Sequence, residues 1–386
     1  MDSRCDSPAF SRAEQSMRIM HLLAPAPAGG LERVVQGLAI GQRRRNHDVY
    51  VVPVVEAWRD DLPFAQPLRR GDVNILPIQA DARNYIGERR QLREILSRHT
   101  PDVVHSHGYH TNVVGRTVVM NAGIPFVATA HGFTGGSLRN RLYEWLDCHA
   151  LARADAAIAV SRPLADELAR RGVPQTCLHT IPNGWTPSSE PLDRHAARLA
   201  LGLPEAETIL GWVGRMTHEK GLDVFIEAMA HTPSHVLACI VGAGTERELA
   251  ERRALELGIA SRIHWAGLVP EAGRYFCAFD VLCQSSRTEG VPMTILEAMA
   301  MGVPIVATAV GGVPDVLSAR EAMLVNAEDY RAFARAIAET IGDLAGAQVR
   351  ATEARKRLAH QFSGDAWLDE HERIYQIATA RKIRRR

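Results

Sequence analysis

The sequence predicts an α/β protein built as two Rossmann-like halves that face one another across a cleft. Three observations carry this. Short β-like apolar runs alternate with amphipathic helical stretches from end to end, the pattern of parallel sheets covered by helices. The series stops at Ile181–Pro191 (IPNGWTPSSEP), a segment rich in Pro, Ser and Asn, and then starts again. At 386 residues the chain is also longer than one core ordinarily needs.

Taken in order, residues 1–17 are polar and charged, lack the apolar stretch of a signal peptide, and read as a disordered extension. The first half, 18–185, gives strands at Arg18–Leu23, Val49–Val54, Val73–Pro77, Asp102–His105, Pro125–Ala130 and Ala156–Val160. Its helices fit Leu31–Gly41, Arg89–Arg98, Leu138–Leu151 and Arg162–Arg171. The second half, 186–362, gives strands at Thr208–Val213, His235–Val241, Arg262–Trp265, Val281–Gln284, Pro304–Ala307 and Met323–Val325. Helices there fit Leu222–Ala230, Thr245–Leu257, Met293–Met301 and Tyr330–Ile341. In the closing segment, 363–386, Gly364–Ala380 is an amphipathic helix bearing Trp367, Leu368, Ile374 and Tyr375. Open parallel sheets bind ligands beyond the carboxyl ends of their strands, so the cleft should hold the site.

Composition removes several function classes. With 46% hydrophobic and 23% charged residues and a formal net charge of +1, the chain is an ordinary globular protein with no general affinity for nucleic acid. The longest stretch without Asp, Glu, Lys, Arg or His, Ala298–Pro314, is broken by Gly302, Pro304, Gly311 and Gly312 and does not read as a membrane span. Six scattered cysteines, none in C-x-x-C spacing, read as free thiols of a reducing compartment, hence a cytoplasmic protein. Charge is uneven: the first 180 residues hold 22 arginines against 18 acidic residues, a net +4, and the remainder carries −3. Arg43, Arg44, Arg45, Arg69, Arg70, Arg89, Arg90 and Arg93 all fall in the first half. They read either as solvated faces or as peripheral contact with an anionic acceptor or membrane surface.

Three segments carry chemistry. Ala24–Glu32 (APAPAGGLE) follows a strand and opens a helix; paired glycines let backbone N–H groups approach an anion at a helix N-terminus. Gly211–Gly221 (GWVGRMTHEKG) sends Arg215 and Lys220 from the end of a strand, two cations that can neutralise a diphosphate. Lys220 is one of only three lysines in the chain. Ser285–Glu297 (SSRTEGVPMTILE) places Glu289 in a loop and Glu297 one turn into the next helix, in E-x7-E spacing. Gly290 to Thr294 present N–H groups between them, and the two carboxylates suit sugar hydroxyls. Gly242 and Gly244 start a G-x-G-x-x-G pattern, but Arg247 stands where its third glycine belongs, which argues against a dinucleotide-dependent dehydrogenase.

Together, GGLE, AHGF, IPNG, VGRMTHEKGLDVFIEA, IVGAG and SSRTEGVPMTILEAMAMGVPIVATAVGGVPD resemble glycosyltransferase family 4, the large retaining family with the GT-B fold. The resemblance runs from about Arg18 to Tyr375 and is most specific over Thr208–Asp315. It implies a hexosyltransferase that takes a nucleotide diphosphate sugar, by default a UDP-sugar, to a glycan or glycolipid acceptor, without a cofactor or metal. By that resemblance Gly29 and Gly30 face the donor phosphates, Arg215 and Lys220 bind the diphosphate, and Glu289 holds the donor sugar with Gly290, Val291, Pro292, Met293 and Thr294. Glu297 holds the ribose, Gly267, Leu268 and Val269 receive the base, and His131 lies beside the sugar. The terminal helix is expected to cross back onto the first domain.

Two open points concern histidine and the alternatives. His105, His107 and His110 (HSHGYH) resemble a metal cluster, but the i, i+2, i+5 spacing has no matching partner set. His107 reads instead as a residue of the acceptor side. A GT-B nucleotide-sugar epimerase and a non-catalytic nucleotide-sugar-binding protein share the expected architecture and remain the alternatives.

Overall fold

The protein is represented by a computed structural model that describes residues 16–384 except 27–28, 60, 82, 134–137 and 188–189. Nearly all of the expected extension, with Cys5, therefore lies outside the described residues, as do parts of the Ala24–Glu32 loop and of the linker. Ser16 and Met17 belong to the fold: the Met17 N–H donates to His47 Nδ1 at 3.1 Å, and its carbonyl accepts from Asp48.

Two all-parallel sheets form the frame. The first contains β1 (Arg18–Leu23), β2 (Asp48–Val55), β3 (Asn74–Ile75), β4 (Ile78–Gln79), β5 (Val103–His107), β6 (Phe126–Ala130), β7 (Ala156–Ala159) and β8 (Leu178–Thr180). Its order is β3-β2-β1-β5-β6-β7-β8, with β4 also on β2. The second contains β9 (Thr208–Val213), β10 (Val236–Val241), β11 (Ile263–Gly267), β12 (Val281–Gln284), β13 (Ile305–Thr308) and β14 (Met323–Val325), in the order β11-β10-β9-β12-β13-β14. This is the two-domain α/β architecture expected.

The central strands, such as β5, β6, β7, β12 and β13, are buried on both faces, which is why they read as continuous apolar runs. In β1, Met20 and Leu22 join a core with Val104, Phe126, Leu92 and Leu151, while Ile19 points to the opposite core with Val103, Val127 and Ile158. The second sheet alternates likewise, Leu210 and Trp212 on one side, Ile209 on the other. A buried arginine secures the entrance to β9. Arg198 donates to the carbonyls of Ala278, Pro204, Glu205 and Glu207 and pairs with Asp280 at 2.9 Å.

Local departures from the expectation have local causes. The predicted strand Val73–Pro77 shortens to β3, and pairing with β2 resumes only beyond Pro77, in β4, since Pro77 has no N–H to give to the ladder. The helix Tyr109–Asn121 was not expected: Val113, Val114, Val118 and Val119 have strand-like propensity, and packing overrides it. Helices Arg194–Leu201 and Leu344–Gln361 and the short strand β8 were also absent from the reading.

The chain passes between the halves twice, at Trp185 and at Ser363, and these two residues form a parallel bridge. From there the helix Gly364–Arg384 runs back over the first sheet. Its Trp367, Leu368, Ile374, Tyr375 and Ala378 complete the core of Ile19, Val34, Leu38 and Val127. Among the described residues no helix is long and apolar enough to cross a membrane.

Candidate active site

Strand order reverses between β1 and β5 in the first sheet and between β9 and β12 in the second. A crevice opens where neighbouring loops diverge in this way, beyond the carboxyl ends of the strands. The residues singled out in the sequence leave those strand ends: Gly29 and Gly30 after β1, His107 at the end of β5, His131 after β6, Arg215 after β9, Glu289 after β12.

The first wall is the start of helix Gly30–Arg44. Glu32 folds back so that its Oε1 accepts from the Ala26 N–H at 2.6 Å, and a Cβ on Gly29 would sit 2.5 Å from its Oε2. Burial raises the Glu32 pKa, opposed by the Ala26 N–H and by the positive charge of Arg215 across the cleft. The facing wall is helix Met293–Met301, whose Met293 lies 3.8 Å from where a Gly30 Cβ would be. Two helix N-termini thus meet, each offering unpaired N–H groups and the positive end of its dipole.

Arg215 is half exposed, 3.4 Å from Glu219. Lys220 ends a short 3₁₀ turn, and its Nζ reaches both oxygens of Glu289, at 2.7 and 2.9 Å. Glu289 also accepts from Gln284 Nε2 and Ser286 Oγ, both at 2.7 Å. Thr294 Oγ1 donates to the other end of the Gln284 amide at 2.8 Å, so one buried glutamine ties the loop to the helix start. The backbone at Glu289 is fixed by Gly311, whose φ is +51° and whose absent Cβ would fall 1.9 Å from the Glu289 carbonyl.

The halves touch at Gly290: a Cβ there would lie 2.4 Å from the His131 carbonyl. Asn183 Nδ2 donates to the Val291 carbonyl at 2.9 Å, beside Pro292. Glu297 is engaged by the first half, accepting from Arg33 Nη2 at 3.0 Å through Oε1. A ribose at Glu297 therefore competes with Arg33 or uses Oε2. In the loop expected to receive the base, the Gly267 carbonyl accepts from the Gly242 N–H at 2.7 Å, and Leu268, ahead of Val269, is exposed.

One placement is corrected. His107, expected on the acceptor side of the cleft, is buried behind His131, with Nδ1 3.3 Å from His131 Nε2 and Nε2 3.0 Å from His21 Nδ1. Burial holds the His131 pKa down to about 4. His21, His105 and His107 each bring a ring nitrogen within 4.8 Å of the others, a grouping wide enough for a cation. All six of their nitrogens are hydrogen-bonded to neighbouring side chains, and a metal would have to displace those bonds.

Sequence reasoning missed Glu32, Arg33, Asn183, Gln284 and Ser286 as parts of the site. Glu32, Asn183 and Ser286 had a local signal, since all three lie inside quoted motifs. Arg33 is paired with a residue 264 positions away, and nothing local announces that.

The family model described as "Glycosyltransferase Family 4" matches residues 28–188, and that of "Glycosyl transferases group 1" matches 207–343. An alpha-maltose-1-phosphate synthase of Mycolicibacterium smegmatis is 29% identical over 377 residues, 88% of this chain and 94% of the relative. The lipopolysaccharide core biosynthesis mannosyltransferase LpsB of Rhizobium meliloti is 35% identical over 206 residues, 50% of this chain and 57% of the relative. Among solved structures, Anabaena Alr3699/HepE in complex with UDP-glucose superposes with a TM-score of 0.81 at 21% identity, covering 94% of this chain and 100% of that one.

Proposed function

The chain belongs to the group 1 glycosyltransferases of family 4, and from that premise we propose that it transfers a hexose from a UDP-sugar to a glycan or glycolipid with retention at the anomeric carbon. It is a glycosyltransferase of GT-B fold. The observation that carries the finer reading is the meeting, at one pair of switch points, of two helix N-termini with Arg215, Lys220 and Glu289. A diphosphate is the ligand that this arrangement suits. Two cations and a ring of N–H groups stabilise the charge that gathers on it as it leaves.

In the transfer the C1–O bond to the diphosphate breaks and the acceptor oxygen bonds to C1 on the same face. The acceptor's proton passes to the departing phosphate oxygen. Arg215 and Lys220 take up the negative charge, so the step is written without a metal. Glu289 positions the sugar hydroxyls, Glu297 the ribose, and the backbone of Leu268 and Val269 the base. Closure at Gly290 and His131 keeps water from the reacting carbon.

The acceptor side is proposed to extend over the helices that follow β4, β5 and β6. Tyr85, Ile86, Tyr109, Leu142 and Trp145 are exposed there, and Tyr109 stacks on Tyr143 at 5.6 Å. Aromatic surface of this kind suits a sugar ring or a lipid-linked acceptor, and the neighbouring Arg89, Arg90 and Arg93 suit an anionic membrane. The relatives cited above include an enzyme named for lipopolysaccharide core biosynthesis, which agrees with such an acceptor.

A thermal-shift screen against UDP-, GDP- and ADP-sugars tests the donor. A ligand at a hundredfold its Kd stabilises by about 2.7 kcal/mol, and the expected responder is a UDP-hexose. A shift with a GDP- or ADP-sugar alone would replace that base assignment.

A further inference from the structure

Behind His131 the first domain contains an unbroken hydrogen-bonded line of side chains. His131 Nε2 lies 3.3 Å from His107 Nδ1; His107 Nε2 lies 3.0 Å from His21 Nδ1; His21 Nε2 lies 2.7 Å from Gln42 Oε1. Gln42 Nε2 then donates to the Tyr375 hydroxyl at 3.1 Å, and that hydroxyl lies 2.8 Å from His105 Nδ1. His21, His107, Gln42 and Tyr375 are each at most 1% exposed; only His131 reaches the cleft.

A neutral imidazole has one N–H and one lone pair, so each ring in such a line dictates the next. Burial keeps these rings uncharged. The direction is set at Gln42, whose two ends are unlike. Its amide NH₂ faces Tyr375, so its oxygen must accept from His21 Nε2–H. His21 Nδ1 then accepts from His107 Nε2–H, and His107 Nδ1 accepts from His131 Nε2–H. The proton of His131 is thereby committed inward, and its Nδ1, which has no protein partner among the described residues, holds a lone pair.

We propose that Gln42 and Tyr375 are positioning residues for sugar transfer: through His21 and His107 they fix His131 as a hydrogen-bond acceptor for a hydroxyl of the bound substrate. The inference rests on the reading of the cleft as a glycosyl-transfer site. It assigns a task to the end of the terminal helix-crossing core, some of whose residues come from opposite ends of the chain.

The test uses the full-length protein labelled with ¹⁵N-histidine, with ring tautomers read from long-range ¹H–¹⁵N correlations and His131 assigned through His131→Gln. The expected result is Nε2–H at His131, His107 and His21. In Gln42→Leu the line loses its polarity, so His131 becomes a mixture of tautomers. The kcat should fall about tenfold, the worth of one hydrogen bond, with the donor KM within about twofold. Gln42→Glu retains an acceptor for His21 and should restore the single tautomer. Should Gln42→Leu fold poorly, Tyr375→Phe, which frees the amide to turn, is expected to give the same mixture. An Nδ1–H tautomer at His131 in the unaltered protein, or an unchanged tautomer in both variants, overturns the proposal. Because the spectra need no turnover, failure of every sugar nucleotide to react would count against the transfer reading alone.

Discussion

Lys220 Nζ spans the two oxygens of Glu289, at 2.7 and 2.9 Å, so the cation assigned to the diphosphate and the carboxylate assigned to the sugar neutralise one another. The pair is largely shielded, with side-chain exposures of 21% and 5%. Such a contact is an exchange position. Under the proposed assignment, an incoming diphosphate would draw Lys220 towards its oxygens and free the carboxylate for the sugar's hydroxyls.

Replacing both Arg215 and Lys220 by Ala removes the two cations together. Each charge-assisted bond contributes about 1.5–3 kcal/mol, so kcat/KM should fall by roughly 10²–10⁴. Steady-state kinetics with the responding donor provide the measurement, and near-normal activity in the double variant would sink the diphosphate assignment.

Glu289→Gln and Glu297→Gln should differ in kind. Glu289 is proposed to hold the sugar that changes charge and shape, so its loss should lower kcat; Glu297 is proposed to hold a ribose that does not react, so its loss should mainly raise KM. A drop in kcat with KM untouched in Glu297→Gln would exchange the two roles. No covalent glycosyl adduct at Glu289 is expected by mass spectrometry, and the product should keep the donor's anomeric configuration.

Gly311→Ala tests the backbone beneath Glu289. The φ of +51° and the 1.9 Å approach to the Glu289 carbonyl leave no room for a methyl group. Activity should fall much more than fold stability, because the displaced segment is a loop at the cleft; unaltered kcat and KM would show that Glu289's position is not set there.

Chelation is expected to leave turnover unchanged, since the departing charge is assigned to protein groups. Loss of activity in EDTA that Mg²⁺ or Mn²⁺ restores would overturn that assignment.

Stability should depend on pH through the buried histidines. His21, His131 and His371 are held at about 4 by burial, and His105 and His107 also lie well below 6.5. Between about 4 and 6.5 the unfolded chain binds protons that the folded chain refuses, so stability falls as pH falls through this window. The loss is about 1 kcal/mol for each of His21, His131 and His371 by pH 5.5. Urea midpoints at pH 7.5 and 5.5 check this; an equal or higher midpoint at 5.5 would refute it.

The frame was legible because its signals are local. β1, β9, β12 and β14 matched their predicted limits, as did helices Leu138–Leu151 and Met293–Met301, since buried parallel strands are short apolar runs bounded by turn residues. Arg215, Lys220 and Glu289 were also legible, each standing at a strand or helix end with glycine beside it. What stayed hidden depends on residues far apart in sequence. His107 looked like a cleft residue because the line behind it needs His21 and Gln42 from other elements, and Arg33 gave no sign of its partner Glu297.

The terminal helix has a consequence for how the molecule is made. Ile19 and Val34 leave the ribosome hundreds of residues before Trp367, Ile374 and Tyr375, yet they share one core. Domains generally fold as they emerge, but here the domain synthesised first cannot close until the last. Until that helix emerges its sheet keeps an apolar face uncovered, while the second domain, whose core draws on residues from Ala197 to Phe362, can finish ahead of it. The second half can therefore be complete before the first. Loss of the segment from Trp367 to Ala378 would strip the core around Ile19 and Val34, hundreds of residues earlier in the chain.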